Sequence, residues 1–513
     1  MPRDAREAMT LAQLRDAGVE GRISGSPAQV VTGVQHDSRR VRPGDLFVAV
    51  PGEIHDGARF VDDALQRGAV AVMAERRVDQ EVAQLTVENV RQVLGRTAEL
   101  VYGAPTDALR TVGITGTNGK TTTAYLVKQA IEGVEGKVAM IGTTGLLSGA
   151  DARPSAHTTP EGDDISRFAR ESLDARATHV VLEVSSHGLA LNRVDGLQFD
   201  VAAFTNLSRD HLDFHGSLDE YAESKARLFT ELAPNHAVVH IDDPFGEALA
   251  RRASGSVVRC SKRPETGAEI LATEWSSNRD GIRARAQTPA GAIDIESPML
   301  GEHNLENLLV ALGCAYALGL DLPRAAAAWR VSGGSPGRLE RVPHHGDVAV
   351  LVDYAHTPDA LRRVLETMRA VTPNRLLVVF GAGGDRDAGK RPEMGRVGAE
   401  LADLCVLTSD NPRTEDPQRI LEEVEAGART AGAEPLEADA LGDASSGYCA
   451  VLDRRVAIRT AIASARSGDT VLLAGKGHET YQIIGAERRH FDDREEARAA
   501  IAVSYTHLRA HET

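Results

Sequence analysis

Aromatic residues and cysteines are scarce in this sequence. Phenylalanine, tyrosine and tryptophan make up 4% of the 513 residues, so the hydrophobic cores must consist mainly of alanine, valine and leucine. The four cysteines are far apart and include no CxxC pair; they are Cys260, Cys314, Cys405 and Cys449. This spacing excludes a cysteine zinc cluster and fits isolated thiols in a reducing cytoplasm.

A net positive charge and long apolar segments are lacking as well. The formal net charge is −16, whereas a nucleic-acid-binding protein presents a basic surface, so we expect no nucleic-acid partner. No apolar run reaches membrane-spanning length, and residues 1–20 lack the apolar core of a secretory signal. We therefore expect a cytoplasmic protein that binds anionic substrates through local arginines, lysines and backbone N–H groups.

The pattern of the remaining residues predicts an α/β protein. Strand-like β-branched runs alternate with helical patterns, which is typical of mainly parallel sheets. Residues 103–106 and 332–337 indicate linkers, because they are rich in glycine, proline or serine. The predicted domains are residues 1–108, 109–336 and 337–503, the third with an open, Rossmann-like sheet. Residues 504–513 follow no pattern, and we predict that they are an extraneous tail.

A strand, a glycine turn and a helix start follow one another early in the second predicted domain. Residues 112–115 form a β-branched run, and the turn comprises Gly116, Thr117, Asn118, Gly119, Lys120, Thr121 and Thr122. Backbone N–H groups and the helix dipole attract a phosphate to such a turn. Lys120 would reach the β- and γ-phosphates, and the Thr121 hydroxyl would bind Mg²⁺. Ile114 replaces the first glycine of the strict motif, but the pattern favours phosphate binding over an ordinary glycine turn.

Polar residues follow two apolar strands of the same domain. Glu183 follows the run at 180–182, and His211 lies shortly after the run at 201–205. Parallel strands place ligands at their carboxyl ends, so we predict that Glu183 binds Mg²⁺ and that His211 binds a second divalent ion. The alternatives are a solvated strand-end carboxylate and a surface histidine. For the loop at 157–161, an anionic substrate contact and an ordinary helix cap remain equally open.

Four strand ends of the third predicted domain carry polar clusters. These clusters begin at Asp353, Gly381, Ser409 and Gly475. Because the carboxyl ends of parallel strands meet at one edge of a sheet, four such clusters indicate a substrate pocket rather than four unrelated loops. Asp353 could accept a hydrogen bond from a ribose hydroxyl.

Six motifs resemble those of the Mur ligases, the ATP-dependent amide-forming enzymes of peptidoglycan synthesis. They read Gly-Thr-Asn-Gly-Lys-Thr, Glu-Val-Ser-Ser-His-Gly-Leu, Thr-Asn-Leu-Ser-Arg-Asp-His-Leu-Asp, Asp-Tyr-Ala-His-Thr-Pro, Asp-Asn-Pro-Arg and Gly-Lys-Gly-His-Glu. The resemblance implies an N-terminal UDP-sugar-binding domain, a central P-loop ATPase domain and a C-terminal amino-acid-binding domain. It also implies that ATP and Mg²⁺ serve to add meso-diaminopimelate to the D-Glu γ-carboxylate of UDP-MurNAc-L-Ala-D-Glu through an acyl phosphate.

The resemblance assigns residues of this sequence to each ligand. The ATP site would comprise Gly116, Thr117, Asn118, Gly119, Lys120, Thr121, Thr122, Asn304, Arg338, Asp353 and His356. The metal ligands would be Thr121, Glu183, His211 and a carbamylated Lys225, and Lys120, Lys225, His211 and Glu183 would be catalytic. The nucleotide dipeptide would contact His36, Ser38, Ile54, His55, Asp56, Thr158, Thr159, Ser185 and Arg193. Diaminopimelate would contact Arg391, Asp410, Asn411, Pro412, Arg413, Gly475 and Glu479.

Two positions bear on substrate choice. Leu191 stands where the family usually has glutamine, which removes one polar contact to substrate. Arg413 matters for the amino acid, because an arginine binds a carboxylate bidentately and lysine lacks the second carboxylate of diaminopimelate. Lysine would leave that arginine without a partner in a closed site, so we predict diaminopimelate over lysine. The alternative is that Arg413 is a surface residue after a turn.

Two other functions remain open from the sequence. One is another ligase of the superfamily, which adds glutamate to folate or a dipeptide to the muramoyl peptide; Arg413 and the segment at 36–38 argue against it. The other is a catalytically silent nucleotide-binding or scaffold protein, against which Lys120, Glu183 and Lys225 argue. Phosphate release on mixing ATP, the nucleotide dipeptide and diaminopimelate would separate the three functions.

Overall fold

A computed structural model describes residues 8–52, 56–134, 136–331, 333–344 and 346–511, with residues 504–511 described by backbone alone. The chain forms two compact units. The first comprises Met1–Thr273, Arg285–Ile293 and Glu306–Ala328, and the second comprises Glu274–Ala284, Asp294–Leu305 and Trp329–Thr513. The first predicted domain and most of the second therefore share one unit, whereas residues 274–284, 294–305 and 329–336 of the second predicted domain belong to the other unit. The domain boundaries at 108 and 336 stay predictions.

The N-terminal part of the first unit is built on a five-stranded sheet of order β2-β7-β6-β5-β4, in which only β2 is antiparallel to its neighbour. The strands of this sheet are β2 (Arg22–Ser24), β4 (Gly33–Gln35), β5 (Asp45–Val48), β6 (Ala71–Ala74) and β7 (Ala83–Thr86), and two short strands outside it are β1 (Met9–Thr10) and β3 (Val30–Val31). The helices are α1 (Leu11–Asp16), α2 (Val61–Gln66), α3 (Val90–Val101) and α4 (Pro105–Ala108). β1 and β3 pair separately, and the buried faces of β4 to β7 hold the core.

The chain from residue 110 to residue 328, most of which belongs to the first unit, is organised around the buried strand β8 (Arg110–Thr115). This strand lies between β12 and β13 in an 11-stranded sheet. The strands that follow it are β9 (Val138–Gly142), β10 (Gly145–Ser148), β11 (Asp151–Arg153), β12 (His179–Glu183), β13 (Val201–Phe204), β14 (His236–His240), β15 (Ser256–Ser261), β16 (Ile270–Asn278), β17 (Gly281–Thr288) and β18 (Gly291–Ser297). The helices are α5 (Lys120–Val134), α6 (Gly162–Asp174), α7 (Ser186–Ala190), α8 (Leu212–His215), α9 (Leu218–Thr230), α10 (Pro244–Arg252), α11 (Glu302–Ala317) and α12 (Leu322–Ala328). The pairs that join β9, β12, β8, β13, β14 and β15 are parallel, so the carboxyl ends of β8, β12 and β13 meet at one edge.

The second unit contains a six-stranded sheet of order β19-β20-β24-β21-β22-β23, parallel except at β19. The strands of this sheet are β19 (Glu340–Arg341), β20 (Ala349–Asp353), β21 (Leu376–Phe380), β22 (Leu404–Leu407), β23 (Gly447–Ala450) and β24 (Thr470–Ala474). Two further strands, β25 (Tyr481–Ile484) and β26 (Glu487–His490), pair with each other as an antiparallel hairpin. The helices are α13 (Pro358–Val371), α14 (Lys390–Leu401), α15 (Pro417–Thr430), α16 (Arg454–Ser464) and α17 (Asp493–His511). Apolar clusters cover both faces, as the predicted open parallel sheet requires.

The α/β class predicted from the sequence is therefore confirmed. The tail differs from expectation in one respect. Its sequence shows no pattern, but the backbone of residues 504–511 continues helix α17. Their extraneous origin stays a prediction. Among the described residues, no helix is both long and apolar enough to cross a membrane.

Helices α14 and α15 approach each other through a glycine on each. A Cβ on Gly427 of α15 would overlap the carbonyl of Pro392, and one on Gly395 of α14 would overlap the carbonyl of Val424. The small residues therefore permit main-chain contact between the helices, and any larger residue must push them apart.

We expect Gly427→Ala to destabilise the protein although alanine is the better helix former. Overpacking of this kind costs roughly 1–3 kcal/mol, which exceeds the gain of about 1 kcal/mol in helix propensity. Calorimetric unfolding should show a lower midpoint for the variant. Gly333→Ala is the matched control, since a Cβ there meets open space; a Gly427→Ala midpoint at or above that of the parent would contradict the packing argument.

Candidate active site

The glycine turn joins β8 to α5 and is closed by residues from elsewhere in the chain. Gly116 has φ +149° and Gly119 has φ +83°, values that favour glycine. A Cβ on Gly116 would overlap the hydroxyl of Thr205, and a Cβ on Gly119 would overlap the side-chain oxygen of Asn307. Both glycines are therefore required by backbone geometry and by lack of space. Asn307 was not predicted, because no local pattern connects it to the turn.

The segment after β13 holds the turn in place. The main-chain carbonyl of Asn206 accepts a hydrogen bond from the N–H of Thr117 (2.8 Å). The side-chain oxygen of Asn206 accepts a second one from the N–H of Asn118 (3.0 Å). The Thr205 hydroxyl donates to the Asn118 carbonyl at 2.6 Å. The N–H groups of Thr117 and Asn118, which were predicted to bind a phosphate, thus donate to oxygens of the protein itself.

Two lysine amines converge on the carbonyl oxygen of Gly116. Nζ of Lys120 donates to it at 2.8 Å and to the carbonyl of Thr117 at 2.9 Å, and Nζ of Lys225 donates to it at 2.9 Å. Lys225 is 1% exposed, and its amine lies 4.4 Å from the centre of the Tyr221 ring. Burial, reinforced by the charge of Lys120, lowers the pKa of Lys225 well below its usual value. The structure therefore distinguishes Lys225, which residue chemistry alone could not single out, as a buried amine driven toward its neutral form.

Glu183 ends β12 and is completely buried beside the turn. Its Oε2 accepts the Thr121 hydroxyl at 2.7 Å, and its Oε1 accepts the N–H of Thr143 at 2.9 Å. Burial raises the pKa of this carboxyl, although both hydrogen bonds oppose the shift. Hydroxyl and carboxylate oxygens are the ligands that Mg²⁺ prefers, so Thr121 and Glu183 fit the predicted ion.

His211 lies apart from that oxygen pair. Its side chain is 48% exposed, and its Nε2 lies 3.6 Å from the carboxylate of Asp210. No group of three histidine, cysteine or acidic side chains is arranged for a metal ion within the described part of the chain. The metal role predicted for His211 is therefore not assembled in this conformation and stays a prediction.

Histidines and aromatic rings pack together around His187, a residue of the Ser-Ser-His-Gly motif that the sequence left without a role. Its ring centre lies 4.8 Å from that of His211 and 4.2 Å from that of Phe214. Burial, together with the neighbouring imidazoles of His211 and His215, lowers the pKa of His187 to about 4. Burial also lowers the pKa of His215, whose ring packs against Tyr221. His187 and His215 therefore favour their neutral forms.

Four residues predicted to contact the peptide part of the substrate are joined by hydrogen bonds. The Thr159 hydroxyl donates to the Glu183 carbonyl (2.9 Å) and accepts from the N–H of Ser185 (2.9 Å). Arg193 donates to the Thr159 carbonyl at 3.0 Å. The Thr158 hydroxyl connects to the same site through the hydroxyl of Thr143 at 3.2 Å. The structure thus brings Thr158, Thr159, Ser185 and Arg193 to the end of β12.

The predicted UDP-sugar residues are only partly described. Ser38 is buried in a short 3-10 turn, Ser38–Arg40, and Asp56 caps another such turn by accepting the N–H of Ala58 at 2.9 Å. Ile54 and His55 lie outside the described residues.

His36 is held by a buried carboxylate that sequence reasoning missed. Its Nδ1 lies 2.8 Å from Oδ1 of Asp163, and its main-chain N–H donates to Oδ2 of the same residue at 3.2 Å. Burial alone would lower the pKa of His36, but Asp163 raises it to about 9. His36 is therefore an imidazolium at neutral pH, bound to a fully buried partner at the start of α6.

The second unit contains a cleft of about 430 Å³ at the carboxyl edge of its sheet. Predicted ligand residues that line it are His356, Arg391, Asp410, Asn411, Arg413, Gly475 and Glu479. The aromatic residue Tyr354, which was not predicted, also lines it and packs against the Arg338 guanidinium, 4.9 Å from its ring centre. The cleft thus brings together most of the residues that the family motifs assign to the amino acid.

Asn304 and Asp353 do not point into this cleft. Asn304 is buried and donates from Nδ2 to the Leu300 carbonyl at 2.8 Å. The Asp353 carboxylate accepts the N–H groups of Leu339 and Ala355, each at 2.8 Å, and burial raises its pKa. These contacts stabilise the loops on either side of Asp353, and its predicted bond to a ribose stays untested.

The two predicted arginines of the cleft differ in their partners. Arg391 is buried and donates to Glu423 at 2.9 Å and to Glu415 at 2.8 Å, so internal carboxylates already occupy its guanidinium. Arg413 donates to the neutral main-chain carbonyl of Gly384 at 2.6 Å. Arg413 is therefore the better placed of the two to bind a carboxylate of a ligand.

Comparison with known proteins gives matches along nearly the whole chain. Three family models match in order: Mur ligase family, catalytic domain, at 30–102; Mur ligase middle domain at 114–315; and Mur ligase, glutamate ligase domain, at 337–477. The UDP-N-acetylmuramoyl-L-alanyl-D-glutamate–2,6-diaminopimelate ligase of Geobacter metallireducens is 46% identical over 487 residues, which cover 93% of this chain and 95% of that protein. The ligase of the same name from Geobacillus thermodenitrificans is 40% identical, over 92% of this chain and 95% of that protein.

Solved structures agree with the sequence matches. A structure of UDP-N-acetylmuramoyl-L-alanyl-D-glutamate–2,6-diaminopimelate ligase matches with a TM-score of 0.72 and 34% identity, over 97% of this chain and 100% of that one. A folylpolyglutamate synthase of Mycobacterium tuberculosis matches with a TM-score of 0.57 and 20% identity, over 75% of this chain and 92% of that one. At that identity the second likeness concerns the fold alone.

We expect the His36–Asp163 pair to stabilise the protein in a pH-dependent manner. His36 has a pKa of about 9 when folded and an ordinary value of 6.5, so the stabilisation is complete below pH 6.5 and is lost as the pH rises through 9. NMR titration of labelled histidines, with His36→Gln for assignment, should show the raised pKa. Asp163→Asn should return it toward or below 6.5.

Asp174→Asn serves as the control for that titration, because Asp174 lies at the other end of α6 and pairs with Arg170 at the surface. A His36 resonance that titrates near 6.5 in the parent protein would refute the ion pair.

Proposed function

The chain belongs to the Mur ligase family, and on that basis we propose that it adds meso-diaminopimelate to the D-Glu γ-carboxylate of UDP-MurNAc-L-Ala-D-Glu, with conversion of ATP to ADP and phosphate. Relatives that carry the name of this ligase are 46% and 40% identical over more than nine tenths of the chain. The observation that carries the proposal is the convergence of Lys120 and Lys225 on Gly116, beside the Thr121–Glu183 pair. Because ATP and a UDP-linked precursor are the substrates, we place the reaction in the cytoplasm.

We propose that the first step forms an acyl phosphate. An oxygen of the D-Glu γ-carboxylate attacks the γ-phosphorus of ATP, and the bond from that phosphorus to the bridging oxygen of ADP breaks. Lys120 would leave the carbonyls of the turn and bind the transferring phosphoryl oxygens, whose negative charge is greatest during transfer. Most of the rate enhancement then comes from position and charge stabilisation.

Mg²⁺ fits the oxygen pair of Thr121 and Glu183, and we propose that these residues hold it. When bound, the ion would neutralise charge on the phosphate oxygens of ATP. The buried Glu183 carboxyl, with its raised pKa, would be favoured in its ionised form by a nearby cation. His211 stays a candidate ligand for a second ion.

We propose that Lys225 is carbamylated. A neutral amine adds to the carbon of CO₂ and releases a proton, which converts a buried cation into a carboxylate-like anion. The burial and the depressed pKa of Lys225 favour the neutral amine that this reaction needs. The carbamate oxygens would supply a further metal ligand and would reverse the repulsion between Lys225 and Lys120.

In the second step, the amine of the amino acid attacks the acyl carbon, phosphate leaves, and an amide remains. We propose that the cleft of the second unit binds diaminopimelate and that Arg413 pairs with its distal carboxylate. Lysine would leave this arginine without a charged partner, which is the basis for discrimination. Leu191 caps the end of α7 and supplies no polar side chain, so the remaining contacts of Thr159, Ser185 and Arg193 must orient the dipeptide.

Lys120→Ala should abolish ligation, with a fall of at least about 1,000-fold in kcat, because it removes a cation that contacts the transferred group. The measurement is release of phosphate together with formation of the UDP-linked tripeptide. Lys128→Ala is the matched control, since Lys128 lies on the same helix and pairs with Glu132 on the surface. Normal turnover by Lys120→Ala would refute the assigned role of the turn.

Arg413→Met should raise the KM for meso-diaminopimelate by about 10- to 100-fold, the value of one lost charged hydrogen-bond pair. The KM for lysine, which has no second carboxylate, should change little. Arg419→Met provides the control, because Arg419 is 77% exposed on α15. The measurement is the KM for meso-diaminopimelate and for lysine, determined side by side for each variant. Preferential use of lysine by the parent protein would overturn the substrate assignment.

A further inference from the structure

A buried cation lies beneath the cleft of the second unit. Lys476 follows β24 within the Gly-Lys-Gly-His-Glu motif, and its side chain is 0% exposed. Lysine is almost never fully buried unless it is paired, because an ammonium loses much hydration energy on leaving water. Gly475 and Glu479 of this motif are predicted to contact the amino acid, whereas no role is predicted for Lys476.

The ammonium of Lys476 contacts three residues predicted to bind the amino acid. Nζ donates to the side-chain oxygen of Asn411 at 3.1 Å and lies 3.3 Å from Oδ1 of Asp410 and 3.8 Å from Oε2 of Glu479. A further donation goes to the main-chain carbonyl of Tyr481 at 2.7 Å. One cation thus joins the loop after β22, the turn after β24 and the start of β25.

Lys476 also determines which way the amide of Asn411 points. The Asn411 side-chain oxygen accepts from Lys476 and from the N–H of Ile483 at 3.0 Å, and both of these groups can only donate. The amide nitrogen must therefore face the other way, and it donates to Oε2 of Glu479 at 3.0 Å. Without the ammonium, this orientation would rest on a single main-chain N–H.

The neighbouring carboxylates of Asp410 and Glu479 need a positive charge close to them. Burial and the charge of Asp410 raise the pKa of Glu479, whereas Asn411 and Lys476 lower it. Oδ1 of Asp410 is buried and accepts no hydrogen bond within the described part of the chain, so its ion pair with Lys476 is its compensation. Two further buried cations of this unit have their own carboxylate partners: Arg454 pairs with Asp493 at 2.6 Å, and Arg391 pairs with Glu415 at 2.8 Å.

We propose that Lys476 is a positioning residue of the amino-acid site, which holds the carboxylates of Asp410 and Glu479 side by side and orients Asn411 so that together they receive an ammonium group of the incoming amino acid. The inference rests on the proposed function, in which this cleft binds diaminopimelate. Lys476 itself lies beneath the site and acts through these three side chains.

The test compares Michaelis constants in the full-length protein. Lys476→Met should raise the KM for meso-diaminopimelate at least tenfold. The KM values for ATP and for the nucleotide dipeptide should stay within about twofold, because the side chains that Lys476 contacts are assigned to neither substrate. Lys476→Arg keeps the charge and should show a smaller rise than Lys476→Met. If Lys476→Met does not fold, Lys476→Gln replaces it, since it retains a donor and loses the charge, and the same selective rise is expected.

Arg375→Met is the control for loss of a paired cation elsewhere in the same unit. Arg375 pairs with Asp469 at 2.7 Å at the amino ends of β21 and β24, opposite the cleft, so its loss should lower thermal stability without a selective change in KM. A Lys476→Met variant with an unchanged KM for diaminopimelate, or with all three KM values raised together, would overturn the positioning role. Failure of the parent protein to ligate diaminopimelate would instead count against the proposed function.

Discussion

The convergence of two lysine amines on one carbonyl oxygen, that of Gly116, is the constraint on which the site depends. Two like charges approach a single neutral acceptor in a buried setting, an arrangement that calls for an anion or for the loss of one charge. Phosphate oxygens of the proposed nucleotide would supply the anion, and the proposed carbamylation of Lys225 would remove one positive charge. The carboxylate of Glu183, bonded to Thr121, lies at the same edge of the sheet. The proposed phosphoryl transfer thus depends on how the charges of Lys120, Lys225 and Glu183 are compensated at this edge.

Parallel sheets explain why the functional residues of each unit lie together. In the first unit, Glu183 and Thr205 follow β12 and β13, which flank the strand that leads into the turn. In the second unit, Asp353, Asp410 and Gly475 follow β20, β22 and β24 in the same way. Each unit therefore presents polar side chains at the carboxyl edge of a hydrophobic sheet, where open α/β folds bind ligands. Both candidate sites therefore lie at the same kind of position, the carboxyl edge of a parallel sheet.

Local sequence patterns were sufficient to predict the α/β class, the strand–turn–helix at Gly116 and the polar edges of both sheets. These features depend on residues close together in the chain. Asn307 against Gly119, Asp163 against His36 and Lys476 beneath Asp410 could not be predicted in that way, because each pair joins segments whose proximity is created only by the fold. The buried state of Lys225 was likewise hidden, since its helix reads as polar. Family motifs named many ligand residues but not the side chains that hold them.

The bonds from Asn206 to the turn have a consequence for the thermodynamics of nucleotide recognition. The N–H groups of Thr117 and Asn118 are already bonded to the main-chain and side-chain oxygens of Asn206. The conformational entropy of this loop is lost when the protein folds and need not be lost again on association. At the proposed ATP site, a loop held in this way would favour a triphosphate that fits its existing shape over a bulkier mimic that requires the loop to widen.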